Sequence, residues 1–191
     1  MPRALVIVDV QPTFCEGGAL PVEGGNRVAK DIARYALRNA DDYDLVVTTQ
    51  DWHVDPGEHF SDTPDFVDTW PPHGVAGTDE AELHPALEPV PVDFMVKKGE
   101  YEAAYSGFEG ACPDGSSLEE LLDEEGIDEI DVVGLALSHC VKETALDATK
   151  LDWLKQIRVL TDLTEPVSPE LGEAALKEMG ETRIVLVESG S

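Results

Sequence analysis

Short apolar runs alternate along the chain with stretches in which apolar residues recur at helical spacing. Apolar, β-branched runs bounded by turn residues are typical of strands, and they occupy residues 4–10, 45–49, 94–97, 130–137, 157–161 and 184–187. Helices are predicted at residues 26–39, 117–125, 141–150 and 169–178. Runs that are apolar throughout are expected for strands buried on both faces of a parallel sheet. The pattern therefore predicts an α/β fold, a three-layer α-β-α sandwich with a central, mainly parallel six-stranded sheet.

One stretch, residues 51–92, breaks this rhythm and is rich in Pro, Gly and Asp. Connections of this length without regular structure are uncommon in compact domains and usually have a function. The loop starts where the strand at 45–49 ends, and open parallel sheets bind ligands beyond the carboxyl ends of their strands. We therefore expect the loop to border an active site. No repeat or linker divides the sequence, so residues 1–191 are predicted to form one domain.

The charge balance excludes several classes of partner. The 191 residues include 40 Asp and Glu but only 13 Lys and Arg, which gives a formal charge of −27. Such a field repels nucleic acid and anionic lipid, and the acidity indicates adaptation to molar salt, where charges are strongly screened. No apolar window approaches the roughly 20 residues of a membrane helix, and the N-terminus does not resemble a secretory signal. A cytoplasmic protein is expected.

The cysteines do not indicate a disulfide framework. Three cysteines cannot all pair within one chain, and Cys15, Cys112 and Cys140 show no CxxC spacing. Cys15 and Cys112 are interpreted as small buried apolar residues. Cys140 differs because it follows the predicted strand at 130–137 and opens the next predicted helix, where the helix dipole is expected to lower a thiol pKa.

The loop concentrates metal-binding side chains. Three of the five histidines, His53, His59 and His73, lie within its residues 51–73 together with Asp51. Imidazole and carboxylate ligands suit Zn, Fe(II) or Mn(II) and leave a coordination position open. The alternative is that these are ordinary polar loop residues exposed to water. His84 receives no role.

Two further polar residues end predicted strands. Asp9 lies in an otherwise apolar run, where a buried carboxylate requires a partner, and Lys98 ends the strand that begins at residue 94. Together with Cys140 they would bring a thiol, a carboxylate and an ammonium to one edge of the sheet, which is suitable for acyl transfer from an amide. Backbone N–H groups near Ala136 and Cys140 would face the oxyanion. Strand-end groups facing solvent are the alternative for Asp9 and Lys98.

These segments resemble one known family. The matching segments are residues 4–11 (ALVIVDVQ), 14–18 (FCEGG), 49–53 (TQDWH) with His59, 70–73 (WPPH), 98–99 (KG), 104–110 (AYSGFEG) and 139–141 (HCV). From about residue 4 to residue 187 the chain is similar to the nicotinamidase/pyrazinamidase branch of the isochorismatase-like cysteine hydrolases. The resemblance implies hydrolysis of nicotinamide to nicotinate and ammonia through a cysteine thioester, in NAD salvage, and activity on pyrazinamide.

The resemblance also implies a role for each matching residue. Cys140 corresponds to the nucleophile, Asp9 to the base, and Lys98 to the group that positions them. One divalent metal ion is implied, zinc first, with iron or manganese as alternatives. Its implied ligands are Asp51, His53, His59 and His73. The residues implied to line the ring pocket are Phe14, Trp70 and Tyr105. The N–H groups of Ala136 and Cys140 would form the oxyanion hole, after a cis Leu135–Ala136 peptide.

The sequence departs from the family at one place and leaves alternatives open. Leu137-Ser138 stands where relatives usually carry Thr-Asp, so hydrogen bonding near the nucleophile is expected to differ. Another amidase or a ureidohydrolase of the same superfamily would share the three catalytic residues but not the metal ligands. Isochorismatase proper needs no ligand for a ring nitrogen, and a metal- or thiol-binding protein without turnover is the alternative from another class. A small-molecule substrate is expected, with a monomer and a homo-oligomer both open.

Overall fold

A computed structural model describes residues 1–190 and contains one six-stranded sheet. The strands are β1 (Arg3–Val8), β2 (Leu45–Asp51), β3 (Phe94–Lys98), β4 (Glu129–Leu135), β5 (Gln156–Glu165) and β6 (Ile184–Val187). They lie in the order β3-β2-β1-β4-β5-β6, and each neighbouring pair is parallel. The predicted α/β fold with a parallel six-stranded sheet is confirmed.

Helices cover both faces of the sheet. They are α1 (Gly25–Arg38), α2 (Leu118–Glu124), α3 (Lys142–Ala148) and α4 (Pro169–Gly180). Side chains alternate along a strand, and on β1 Leu5 and Ile7 belong to the core beneath α1, whereas Val6 and Val8 belong to the core shared with α2, α3 and α4. This arrangement gives the predicted three layers. None of the helices within residues 1–190 is long and apolar enough to cross a membrane.

Two strands end earlier than the apolar pattern predicts. β1 stops at Val8, because Asp9 adopts a positive φ of 48°, although the Asp9 N–H still donates to the backbone oxygen of Thr49 in β2, 3.1 Å away. β4 stops at Leu135, and a π-helical turn, Leu137–Val141, precedes α3. Cys140 therefore lies inside this turn rather than at the start of an α-helix. Single-turn π segments are frequent at functional sites.

The sheet changes direction at β1. The chain passes from β1 to β2 and β3 on one side, and β4 then pairs with the opposite edge of β1 before β5 and β6 follow. The carboxyl ends of β1 and β4 form the switch point at which open α/β sheets bind ligands.

The connection between β2 and β3 is more ordered than the sequence indicates. It contains the 3₁₀ turns Gly57–His59, Asp79–Ala81 and Pro85–Leu87, and isolated bridges pair His53 with Val75 and Phe60 with Trp70. These backbone bonds hold the histidines beside the sheet edge. The sequence did not predict them, because local turns and single bridges produce no periodic pattern of apolar residues.

Candidate functional site

Three side chains from separate strand ends meet at the switch point. The Lys98 Nζ lies 2.9 Å from the Asp9 Oδ2 and 3.7 Å from the Cys140 Sγ, so the carboxyl group and the thiol contact the same ammonium. Asp9 and Lys98 are at most 1% exposed. Because β2 separates β3 from β1, the four-carbon stem of Lys98 must cross one strand to reach Asp9. The structure thus brings together the three residues that the sequence singled out.

Lys98 joins this group to the polar cluster at the end of β2. Its ammonium also forms an ion pair with Asp51 and donates to the backbone oxygen of Ala104, at 3.2 Å. Burial would lower the pKa of Lys98, but Asp51 and Asp9 outweigh it and hold that pKa well above its usual range. Burial would raise the pKa of Asp51, but Lys98 holds it well below its usual range. An ammonium and an Asp51 carboxylate therefore persist at neutral pH.

The expected lowering of the Cys140 thiol pKa is wrong. Burial raises the pKa of Cys140 well above its usual range, and the carboxylates of Asp9 and Asp51 add to this effect, whereas Lys98 opposes it. Burial likewise raises the pKa of Asp9. A helix dipole acts only within the first turn and is weak against full burial. The resting site therefore holds a protonated thiol next to a carboxyl group of increased basicity.

Two polar residues that the sequence did not single out fix this geometry. The Thr49 hydroxyl donates to the Asp9 Oδ1 at 2.6 Å. The Gln11 side chain accepts from the N–H of Asp51 and donates to the backbone oxygen of the same residue, both at 2.9 Å. Both residues are buried within or just beyond strands. A buried polar side chain in an apolar run is the signal that would have identified them.

The loop histidines converge on Asp51. His53, His59 and His73 are buried, and their ligand atoms lie within 4.8 Å of one another. The Asp51 Oδ2 is 3.4 Å from the His53 Nε2 and 3.5 Å from the His73 Nε2. Burial and the other imidazoles lower the pKa of His59 to about 4, so this ring is neutral at pH 7. The alternative of solvent-exposed loop histidines is excluded for these three residues.

The hydrogen bonding of the imidazoles fits a metal ion. Nδ1 of His53 lies 2.6 Å from the backbone oxygen of Gly99, and Nδ1 of His73 lies 2.8 Å from that of Pro71, so each ring donates through Nδ1 and keeps a lone pair on Nε2. Metal-bound histidines are usually oriented in this way by a backbone carbonyl. The buried Nε2 of His53 and Nδ1 of His59 have no hydrogen-bond partner. Unsatisfied buried nitrogens are costly without a ligand.

Gly99 allows the His53 ring to take this position. Its φ is 75°, and a Cβ added there would lie 2.6 Å from the His53 Cε1. Only glycine permits both the left-handed backbone and the close contact. The Lys98-Gly99 pair therefore supplies a buried ammonium and the space for a neighbouring imidazole.

One cavity opens onto both groups of side chains. About 540 Å³ of space not filled by protein atoms lies within it, and part of this space is open to solvent. The predicted residues that line it are Phe14, Asp51, His59, Trp70, His73, Tyr105, Ala136 and Cys140. Asp9, Lys98 and His53 lie behind this surface. His139 and Val167 also line the cavity and were not predicted to do so.

Comparison with protein families identifies the family to which this geometry belongs. The family described as the Isochorismatase domain matches residues 3–189. The chain belongs to the isochorismatase family. The cis Leu135–Ala136 peptide that the resemblance implied is present in this isochorismatase-family chain.

Known members of the isochorismatase family are similar over nearly their whole length. The nicotinamidase/pyrazinamidase of Mycobacterium tuberculosis is 50% identical over 185 residues, which cover 97% of this chain and 98% of that protein. The pyrazinamidase of Pyrococcus horikoshii, solved in complex with zinc, has a TM-score of 0.81 and 31% identity, covering 98% of this chain and 99% of the other. The yeast nicotinamidase bound to the inhibitor nicotinaldehyde has a TM-score of 0.81 and 26% identity, covering 97% of this chain and 99% of the other.

Proposed function

We propose that the chain is a nicotinamidase, which hydrolyses nicotinamide to nicotinic acid and ammonia in NAD salvage and also accepts pyrazinamide. One observation carries the proposal: the Cys140 thiol and the buried Asp9 carboxyl group both contact a fully buried ammonium, and the thiol faces the same cavity as an Asp/His cluster. The similarity to the M. tuberculosis enzyme over nearly the whole chain supports this assignment.

The first half of the reaction forms a thioester on Cys140. Its Sγ attacks the carboxamide carbon while the thiol proton passes to Asp9. Because the resting thiol is protonated, proton transfer must accompany attack. The carbonyl oxygen becomes an oxyanion, which the N–H groups of Ala136 and Cys140 stabilise in our proposal. When the C–N bond breaks, the proton on Asp9 moves to the departing nitrogen and ammonia leaves.

The second half uses the same groups in reverse order. Asp9 accepts a proton from a water molecule, whose oxygen attacks the thioester carbon. The C–S bond then breaks, the proton returns from Asp9 to the sulfur, and nicotinic acid is released. Lys98, 2.9 Å from Asp9 and 3.7 Å from the sulfur, compensates the negative charge that moves between them.

The residues proposed to hold one divalent metal ion are Asp51, His53, His59 and His73. When bound, the ion supplies an electrophilic position for the pyridine nitrogen of the substrate or for water. Neutral imidazole nitrogens favour zinc, with iron or manganese as the alternatives. Lys98 contacts Asp51 as well as Asp9 and so fixes the distance between the cluster and the reacting sulfur.

Aromatic side chains are proposed to orient the substrate ring. Phe14, Trp70 and Tyr105 line the cavity, and the Trp70 Nε1 donates to the Tyr105 hydroxyl at 2.9 Å. This bond keeps two large rings in fixed orientations without leaving a buried N–H unpaired. A flat heteroaromatic ring would then lie with its carboxamide directed to Cys140.

The proposal is tested by incubating the purified protein with nicotinamide and measuring ammonia and nicotinic acid. We expect equal amounts of both products and no release by Cys140→Ala. Benzamide, which lacks the ring nitrogen, should be a much poorer substrate if the metal cluster receives that atom. Absence of ammonia from the wild type with Zn, Fe or Mn supplied would refute the proposed activity.

The same experiment separates the alternatives. An amidase of the family with another substrate would release ammonia from other small amides but not from nicotinamide. A binding protein would release ammonia from none of them. Metal analysis of protein purified without affinity resin identifies the bound ion.

A further inference from the structure

The Ser138 hydroxyl connects two parts of the cavity wall. Ser138 lies in the π-helical turn and is 8% exposed. Its Oγ accepts a hydrogen bond from the N–H of Val167 at 3.1 Å and lies 2.9 Å from the His139 Nδ1. His139 and Val167 both line the cavity beside Cys140. The proposed reaction assigns no role to Ser138, His139 or Val167.

Counting hydrogens at Ser138 determines which nitrogen of His139 is protonated. A hydroxyl has one hydrogen and accepts through its lone pairs, and the N–H of Val167 can only donate to it. The hydroxyl hydrogen then needs an acceptor, and within residues 1–190 the His139 Nδ1 is the remaining group bonded to Oγ. A protonated Nδ1 would leave the buried hydroxyl hydrogen unpaired, which costs about 1–3 kcal/mol. The hydroxyl therefore donates to Nδ1, and the ring proton lies on Nε2.

The tautomer matters because the ring is neutral and faces the ligand space. Burial lowers the pKa of His139, Lys142 lowers it further, and Glu143 opposes both. The ring packs edge-on against Trp70, with centroids 5.4 Å apart, and lies 6.5 Å from the Tyr105 ring. Among the described residues no group bonds to Nε2, and this atom is not among the enclosed unpaired atoms. An Nε2–H is thus free to donate to a ligand.

We propose that Ser138 is a positioning residue that holds His139 in the Nε2–H form, so that the cavity presents a hydrogen-bond donor beside Cys140. The assignment of the tautomer is independent of the proposed activity, whereas the ligand atom that accepts this bond rests on it. The acceptors of nicotinamide are its ring nitrogen and its carboxamide oxygen. Because the ring nitrogen is assigned to the metal cluster, the carboxamide oxygen, or a carboxylate oxygen of the product, is the partner of Nε2–H.

The tautomer is measured by long-range ¹H–¹⁵N spectra of the ¹⁵N-labelled protein at neutral pH, with His139→Gln used to identify the signals. We expect an unprotonated Nδ1 and a protonated Nε2. Ser138→Thr keeps the hydroxyl and should preserve this pattern. Ser138→Asp offers only acceptor oxygens, so Nδ1 should become protonated. A protonated Nδ1 in the wild type, or an unprotonated Nδ1 in Ser138→Asp, would overturn the assignment.

Kinetics test the ligand contact. A hydrogen bond to the carboxamide oxygen strengthens as that oxygen becomes an oxyanion, so its loss lowers kcat/KM. Ser138→Asp should lower kcat/KM for nicotinamide about 5-fold or more, as expected for one lost hydrogen bond, whereas Ser138→Thr should keep the wild-type value. An unchanged kcat/KM despite a changed tautomer would overturn the ligand contact. Absence of wild-type turnover would instead refute the proposed function and leave the nitrogen signals as the test of Ser138.

Discussion

Replacement of Lys98 by methionine tests the buried charge arrangement most severely. The change keeps most of the side-chain volume but removes the ammonium that pairs with Asp9 at 2.9 Å and with Asp51. At an effective dielectric constant of about 20, one such pair at 2.9 Å is attractive by about 6 kcal/mol before the cost of desolvation. Removing one member of a buried ion pair costs about 3–5 kcal/mol, because the remaining charge stays buried. We expect Lys98→Met to lose this amount of unfolding free energy.

The assay is urea unfolding followed by circular dichroism, with both proteins free of metal in the same buffer at pH 7. The matched control is Lys155→Met, which removes the same charge from an exposed pair with Asp128 at 2.7 Å. An exposed pair contributes at most about 1 kcal/mol. For a chain of this size the expected loss in Lys98→Met corresponds to a midpoint temperature about 6–20 °C lower.

A second substitution checks the cause of the loss. Asp9→Asn in the Lys98→Met background removes one of the two uncompensated carboxylates and should recover part of the stability. Equal unfolding free energies for Lys98→Met and Lys155→Met, within about 0.5 kcal/mol, would refute the reasoning.

Three further predictions follow from other features of the chain. Gly99→Ala should lower the metal bound per chain because its Cβ would displace His53, whereas Gly115→Ala, with φ of 93° and open space around it, should not; equal metal contents would contradict the role of Gly99. Because burial raises the pKa of Cys140, the rate of its alkylation by iodoacetamide should still increase with pH above about 8.5, the approximate pKa of a free thiol. A rate that reaches a plateau near neutral pH would show a preformed thiolate and contradict this prediction. With a formal charge of −27, the urea midpoint should be higher in molar KCl than in dilute buffer, and equal midpoints would count against adaptation to salt.

The sheet and the strand-end groups could be predicted because both follow from local pattern. Apolar runs such as the one that contains Leu5 and Ile7 indicate strands buried on both faces, and polar residues that end them, such as Asp9, stand out against that background. The carboxyl ends of parallel strands share one edge, so residues from distant parts of the sequence could be placed together. The loop histidines were identified by the same contrast in composition.

Properties that depend on distance in space could not be predicted in this way. The Lys98 side chain crosses the end of β2 and pairs with Asp51 as well as with Asp9. No spacing in the sequence indicates the pair with Asp51. The direction of the Cys140 pKa was predicted wrongly because burial outweighs the local dipole. The supporting bond from Thr49 to Asp9 depends on the register between β1 and β2.

The central claim is that the amide is cleaved through a thioester on Cys140, and partitioning with hydroxylamine tests it most directly. Hydroxylamine competes with water for a thioester but not for a water molecule that attacks the amide in one step. We predict that added hydroxylamine diverts product from nicotinic acid to the hydroxamic acid without lowering the ammonia released, and that Cys140→Ala forms neither product. Undiminished nicotinic acid with no hydroxamic acid at any hydroxylamine concentration would contradict the mechanism.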